Sequence, residues 1–199
     1  MRISCKICRR LGESLCGRDK CAFKRKPYPP GKLESEKKHK SVRSEFGSYL
    51  AEKQKVRHSY GISEKQFANY VKYVREKKGA NPTEALYEAL ETRLDNVAYR
   101  LGLAASRALA RQLVSHGHIT VNGRKVTIPS YRVKKGDAIA VREGSKGIGP
   151  FKDLRERLEK YSYPNWLKVS AEGVAEVQGA PKDTDRAYNL NSVIEFYSR

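Results

Sequence analysis

Cys5, Cys8, Cys16 and Cys21 are the only thiols in the chain, and their spacing is C-x2-C-x7-C-x4-C. Two close pairs joined by a short loop can bring four thiolates around one metal ion. Zinc is the expected ion, one per chain and structural, because a closed four-sulfur shell leaves no position for a substrate or an activated water. An iron–sulfur cluster, two disulfides and unliganded thiols are the other states that four cysteines allow. Four thiolates around a divalent ion leave about two excess negative charges. Lys6, Arg9, Arg10, Arg18 and Lys20 stand beside them in sequence and can offset those charges.

The second chemistry is cationic. The 199 residues carry 41 Lys+Arg against 22 Asp+Glu, a formal charge of +19. Such an excess points to a polyanionic partner, and nucleic acid comes first because Lys and Arg release counterions from phosphate. A membrane partner is not expected, since no apolar run approaches the roughly 20 residues needed to span a bilayer. The start, "MRISCKICRR", is basic but has no apolar segment of a secretory signal, so an intracellular, reducing setting is expected. That setting favours metal over disulfides.

Arginines recur against a single acidic residue, Asp95, in "RLDNVAYRLGLAASRALARQLVSHGHITVNGRKV", residues 93–126. Candidate contacts there are Arg93, Arg100, Ser106, Arg107, Arg111, His116, His118, Asn122, Arg124 and Lys125. His116 and His118 have no third ligand for a metal site. A basic run earlier in the chain adds Lys53, Lys55 and Arg57.

These side chains need elements to hold them. A helix is expected over 45–60, ending before Gly61, with Tyr49, Leu50, Lys53 and Val56 near one face. Ser63 and Gln66 form a capping box, and Phe67, Tyr70, Val71 and Val74 recur at i, i+3, i+4 and i+7. Asn81-Pro82 opens a further helix. Its apolar face runs through Leu86, Leu90, Leu94, Val97 and Leu101 to Gly102, with room for a bend. Ser106 caps the next helix, whose Ala108, Leu109 and Leu113 are expected to pack inward while Arg107 and Arg111 share another face. Asn122-Gly123 is a strong hairpin signal, and Lys135-Gly136-Asp137 marks another turn before a strand ending at Val141. The cysteine segment and these helices are separated by a Pro- and Lys-rich stretch, 22–44, which reads as an extended basic arm.

The expected class is α+β, a mainly helical first domain with a four-cysteine knuckle and an inserted module of helices plus a small antiparallel sheet. No P-loop, paired metal-binding carboxylates or Ser/His/Asp arrangement stands out beyond residues 92–165, so neither an enzyme nor a small-molecule substrate is expected. A zinc-dependent DNA-binding regulator would place its recognition helix close after the cysteines, where this chain has the proline-rich arm.

Four stretches in order carry a resemblance: "KPYPPG", "EKQKVRHSYGISEKQF", "LETRLDNVAYRLGLAASRALARQLVSHGHITVNGRKVTIPSY" and the final "IEFYSR". Together they resemble the bacterial-type small-subunit ribosomal protein four family, over nearly the whole chain. The resemblance implies a cytoplasmic protein of the small ribosomal subunit that binds the 5′ domain of 16S-type rRNA early in assembly. It implies neighbouring small-subunit proteins as partners, proximity to messenger RNA near the channel through which it enters, and a contribution to translational accuracy. It also implies a division into a knuckle and arm at 1–44, a helical domain at 45–91 completed by 166–199, and an RNA-binding domain at 92–165. Related RNA-binding modules are appended to pseudouridine synthases and tyrosyl-tRNA synthetases, but the remaining stretches point to the ribosomal family. Residues 171–186 match weakly, and no contact is carried over to them.

Overall fold

The computed structural model describes residues 3–31, 43–77, 79, 81–152, 154, 158, 161–170, 173–181 and 188–198. They fall into two compact units, Met1–Thr83 with Asp185–Arg199, and Glu84–Thr184. Residues 32–42 of the basic arm lie outside the described residues.

The first unit contains α1 (Cys5–Leu11), α2 (Ala22–Arg25), α3 (Glu45–Tyr60), α4 (Glu64–Glu76) and, from the C-terminal tail, α8 (Leu190–Phe196). The short α2 interrupts what the sequence presents as an extended arm. Local chemistry sets the ends of α3 and α4. Ser44 and Ser63 hydroxyls accept from the backbone N–H groups of Gly47 and Gln66, and Gly61 closes α3 at φ 64°, a left-handed conformation that glycine adopts without steric penalty. The expected stripe of α4, Phe67, Tyr70, Val71 and Val74, is buried throughout. Val56, Leu190 and Val193 are buried in the same unit, where α8 packs against α3. The tail is also held by Tyr188 Oη donating to Ser59 Oγ at 2.7 Å and Arg75 Nη1 donating to the Tyr197 carbonyl at 2.9 Å.

The second unit begins within α5 (Pro82–Glu91) and continues through α6 (Leu94–Arg100) and α7 (Arg107–Ser115). The long apolar face read from 86 to 101 is buried but belongs to two helices. Between them Arg93 is extended, forming an antiparallel bridge to Arg132, while Leu94 N–H donates to the Tyr131 carbonyl at 2.8 Å. These cross-chain bonds take the backbone donors that a continuous helix would have used.

Ser106 caps α7 as expected, but the fully buried positions of α7 are Ala110, Leu113 and Val114, with Ala108 and Leu109 only half-buried. The physical reason lies in its arginines. Residues 107, 110, 111 and 114 form one i, i+3, i+4, i+7 stripe, and Arg107 and Arg111 bond to side chains of α6. That pairing draws Ala110 and Val114 inward with them.

Five antiparallel strands follow: β1 (Ile119–Val121), β2 (Arg124–Lys125), β3 (Ala138–Val141), β4 (Leu167–Val169) and β5 (Ala175–Val177), in the order β2-β1-β3-β5-β4. Asn122 and Gly123 have φ of 50° and 75°, the backbone needed for a tight type I′ turn. The pairs Ile119↔Val141 and Val121↔Ile139 put four apolar side chains into one core with Leu94, Val97, Leu113 and Val114. Leu167–Val169 and Ala175–Val177, assigned by sequence to the helical domain, instead extend this sheet. Leu167, Ala175 and Val177 are buried in its core beside Trp166. Of the described residues in 166–199, the tail at 188–198 alone belongs to the first unit.

Candidate nucleic-acid interface and thiol cluster

Two buried carboxylates organise the arginines of the second unit. Glu91, 0% exposed at the end of α5, accepts both Nε and Nη2 of Arg100, at 2.9 and 3.0 Å. The same carboxylate accepts Asn96 Nδ2 at 2.9 Å, and Asn96 Oδ1 in turn accepts Arg107 Nε at 2.7 Å. Arg107 also lies over the Tyr99 ring, 4.6 Å from its centroid. Asp95 holds the second set. Arg93 forms a fork to it through Nε at 3.0 Å and Nη2 at 2.7 Å, and Arg111 Nη1 reaches the same Oδ2 at 3.0 Å.

A guanidinium has five N–H groups in a planar fork, so a bond to a carboxylate fixes its plane without exhausting its donors. Four guanidiniums against two carboxylates leave a local excess of about two positive charges. Arg100 and Arg111 remain open to solvent, at 25% and 35% of side-chain surface, and Arg107 is half-buried. Arg93 is 0% exposed and belongs to the support of this face.

At the other end of α7, His116, Arg124 and Lys125 are exposed. His118 is half-buried with Nδ1 3.0 Å from Ser145 Oγ. Burial, then the neighbouring His116, Arg142 and Lys125, hold its pKa below the ordinary histidine value. Arg142 is exposed, and sequence reading missed its place beside these groups. The Lys125 side chain lies across Gly117, where a Cβ would collide with it and where φ is already 73°. Asn122 ties its turn to the start of β3, donating to Asp137 Oδ1 and accepting from Ala138 N–H, both at 2.8 Å. The Ser106 Oγ accepts the Leu109 N–H at 3.3 Å.

The three cations of α3 are held differently. Lys53 is 5% exposed, donates to Glu64 Oε1 at 2.7 Å and sits over the Phe196 ring at 4.4 Å. Lys55 meets Glu52 at 2.7 Å and Glu13 at 3.4 Å. Arg57 donates to Gln54 Oε1 at 3.0 Å and lies 3.5 Å from Glu64 Oε2.

The thiol cluster lies in the first unit. Ligand atoms of Cys5, Cys16 and Cys21 are all within 4.8 Å of one another, and none of the four cysteines is in a disulfide. Cys8 is buried and hydrogen-bonded to Cys16. Burial pushes the Cys8 thiol up to about 12. At Cys21 the same desolvation is outweighed by hydrogen bonds from Ser14, the Phe23 backbone, Cys16 and Cys8, which bring it down to about 6. Arg18 donates to Cys5 Sγ at 4.0 Å and to the Ile3 carbonyl at 3.1 Å. A soft, clustered donor set with an adjacent cation suits a thiophilic metal ion. Around zinc, with Zn–S near 2.3 Å, tetrahedral geometry puts sulfurs about 3.8 Å apart, within the spread of these three.

Among the described residues, no helix is long and apolar enough to cross a membrane. The family model for the ribosomal protein S4/S9 N-terminal domain matches residues 2–91, and that for the S4 domain matches residues 92–139. The chain is similar to proteins named small ribosomal subunit protein uS4. It is 45% identical to that of Halothermothrix orenii, with 98% of this chain and 96% of the relative covered. The Acetivibrio thermocellus protein is 46% identical with 98% and 97% covered, and the Thermus thermophilus protein 45% with 98% and 96%.

Proposed function

This chain belongs to the uS4 family of small ribosomal subunit proteins, and on that premise we propose how its own residues engage RNA. Membership makes it a structural, rRNA-binding component of the cytoplasmic small subunit rather than an enzyme. Its proposed target is the 5′ domain of 16S-type rRNA, where it acts as a primary binder that nucleates assembly.

One observation carries this reading: Arg100, Arg107 and Arg111 project from two packed helices and are oriented by groups beneath them. Fixed guanidiniums select phosphates presented at matching positions, so affinity comes from charge and selectivity from RNA shape. Arg124, Lys125 and His116 extend the contact surface at the hairpin, while Ser106 and Asn122 hold the backbone of the elements that carry it. Arg93 and Lys53 support packing in their respective units. Lys55 and Arg57 contribute weaker phosphate contacts because acidic and amide neighbours already engage them. Neighbouring small-subunit proteins are partners by family, and proximity to incoming messenger RNA and an influence on decoding accuracy belong to the same proposal.

One structural zinc ion is proposed for Cys5, Cys8, Cys16 and Cys21. When bound, zinc supplies a cross-link that ties the first 21 residues together. The Arg18 guanidinium beside Cys5 would offset part of the charge of the bound thiolates.

The RNA reading is tested by binding to the intact 5′ domain and to an isolated RNA duplex of equal length at moderate salt. The intact domain should bind at least about tenfold more tightly, a difference of about 1.4 kcal/mol. Equal affinities would reduce the interaction to nonspecific attraction.

A further inference from the structure

We propose that Glu91 and Asp95 are positioning residues for RNA recognition, and that shape selectivity depends on these two buried negative charges within a cationic face. The inference rests on the RNA-binding role given to Arg100, Arg107 and Arg111. It goes beyond that role by assigning the source of their order.

The bonds converge in one direction. Glu91 orients Arg100 through two bonds and Arg107 through Asn96. Asp95 orients Arg111 and is itself fixed by buried Arg93. Both carboxylates lie on the buried side, at 0% and 4% exposure, while Arg100 and Arg111 reach solvent and Arg107 is half-buried. An unrestrained arginine has rotamer freedom to lose, and ordering it before binding reduces the loss at the moment of contact.

This role and simple electrostatics predict opposite signs. Glu91→Gln or Asp95→Asn makes the face one charge more positive while nearly preserving side-chain volume. If total charge governs, RNA should bind more tightly and the dependence on salt should steepen. If orientation governs, the extra charge helps any RNA, but the intact 5′ domain loses the geometric match.

The experiment uses the full chain and measures binding to the intact 5′ domain and to an isolated duplex, alongside thermal melting. Wild type, E91Q, D95N and R107Q/R111Q are compared. For each carboxylate variant, the preference for the intact domain should fall about tenfold, with duplex binding unchanged or tighter. A second measurement, independent of whether a carboxylate variant keeps its fold, is 15N relaxation of the arginine Nε–H groups in the wild-type protein. Arg100 and Arg107 should have order parameters near the rigid-backbone value of about 0.85, well above exposed Arg124. Folded carboxylate variants that retain the wild-type preference would overturn the proposal, as would wild-type Arg100 and Arg107 Nε–H groups as mobile as Arg124. If R107Q/R111Q leaves binding to the intact domain unchanged, the underlying RNA-binding role fails instead.

Discussion

Helices α3 and α7 carry arginines or lysines at the same helical spacings, yet the two sets are held in different environments. On α3, Lys53 is buried between Glu64 and the aromatic ring of Phe196, and Lys55 and Arg57 have acidic or amide partners close by. On α7, Arg107 and Arg111 lean on an amide and a carboxylate of α6, and each keeps part of its side chain exposed to solvent. Charge count alone does not distinguish them. The two differ in which member of the ion pair faces water: Glu64 is exposed over buried Lys53, whereas Asp95 is buried beneath Arg111.

The largest expected effects come from removing the apolar support under each helix. Leu113→Ala should destabilise the second unit by about 2–5 kcal/mol, and Phe67→Ala the first by about 3–5 kcal/mol. Thermal or denaturant unfolding reads both. The molecules that remain folded should show the wild-type salt dependence of RNA binding, since no phosphate contact has been removed. A changed slope in L113A would mean that packing and charge are not separable in α7.

Next comes Lys53→Met, which keeps the apolar stem but removes the ammonium from Glu64 and the Phe196 ring. Stability should fall by about 1.5–3 kcal/mol, the range for a hydrogen bond to a charged group, with little change in RNA affinity. A clear loss of affinity with unchanged stability would turn Lys53 from a structural cation into a recognition cation.

The thiol cluster adds a separate test in the first unit. Protein purified under reducing conditions should contain about one zinc per chain, and chelation should loosen residues 3–25 while α3, α4 and the second unit stay folded. Elemental analysis and hydrogen exchange check these outcomes. Absence of metal would remove the ion, and iron with a visible charge-transfer band would replace it with a cluster.

Sequence reading was strongest where the signal was local. The α4 stripe and the Asn122-Gly123 turn require only helical period and permissive φ, and both occur as read. The β4–β5 pair was missed because each strand has only three residues and its partner β3 lies far away in sequence. The arginine face was legible as charge, but its buried carboxylates were not. A trace existed: Glu91 follows Leu90 and precedes Leu94 by three positions, within a run whose apolar face is buried. A carboxylate there needs a partner, and only the tertiary fold reveals Arg100 and Asn96. The inward rotation of α7 was illegible for the same reason.

The smallest expected effect is pH dependence, which sharpens the comparison because among the described residues each unit contains one histidine with a lowered pKa. Burial and Arg57 lower His58, while burial, His116, Arg142 and Lys125 lower His118. A histidine with a lowered folded-state pKa takes up protons more readily when unfolded. Stability should therefore decline as pH falls through the ordinary histidine value of 6.5 toward the folded-state value, then level off. Thermal melting from pH 7.5 to 5.5 should show this decline, and His118→Gln should reduce it. An unchanged profile in H118Q would assign the dependence elsewhere.

The most direct test of the contrast between α3 and α7 is the slope of log K against log salt for the intact 5′ rRNA domain. If Arg107 and Arg111 each contact phosphate, R107Q/R111Q should flatten that slope by roughly 1.4–1.8, whereas K55Q/R57Q should change it by less than about half as much. Equal flattening by both pairs, or a slope that responds only to the α3 pair, would contradict the account.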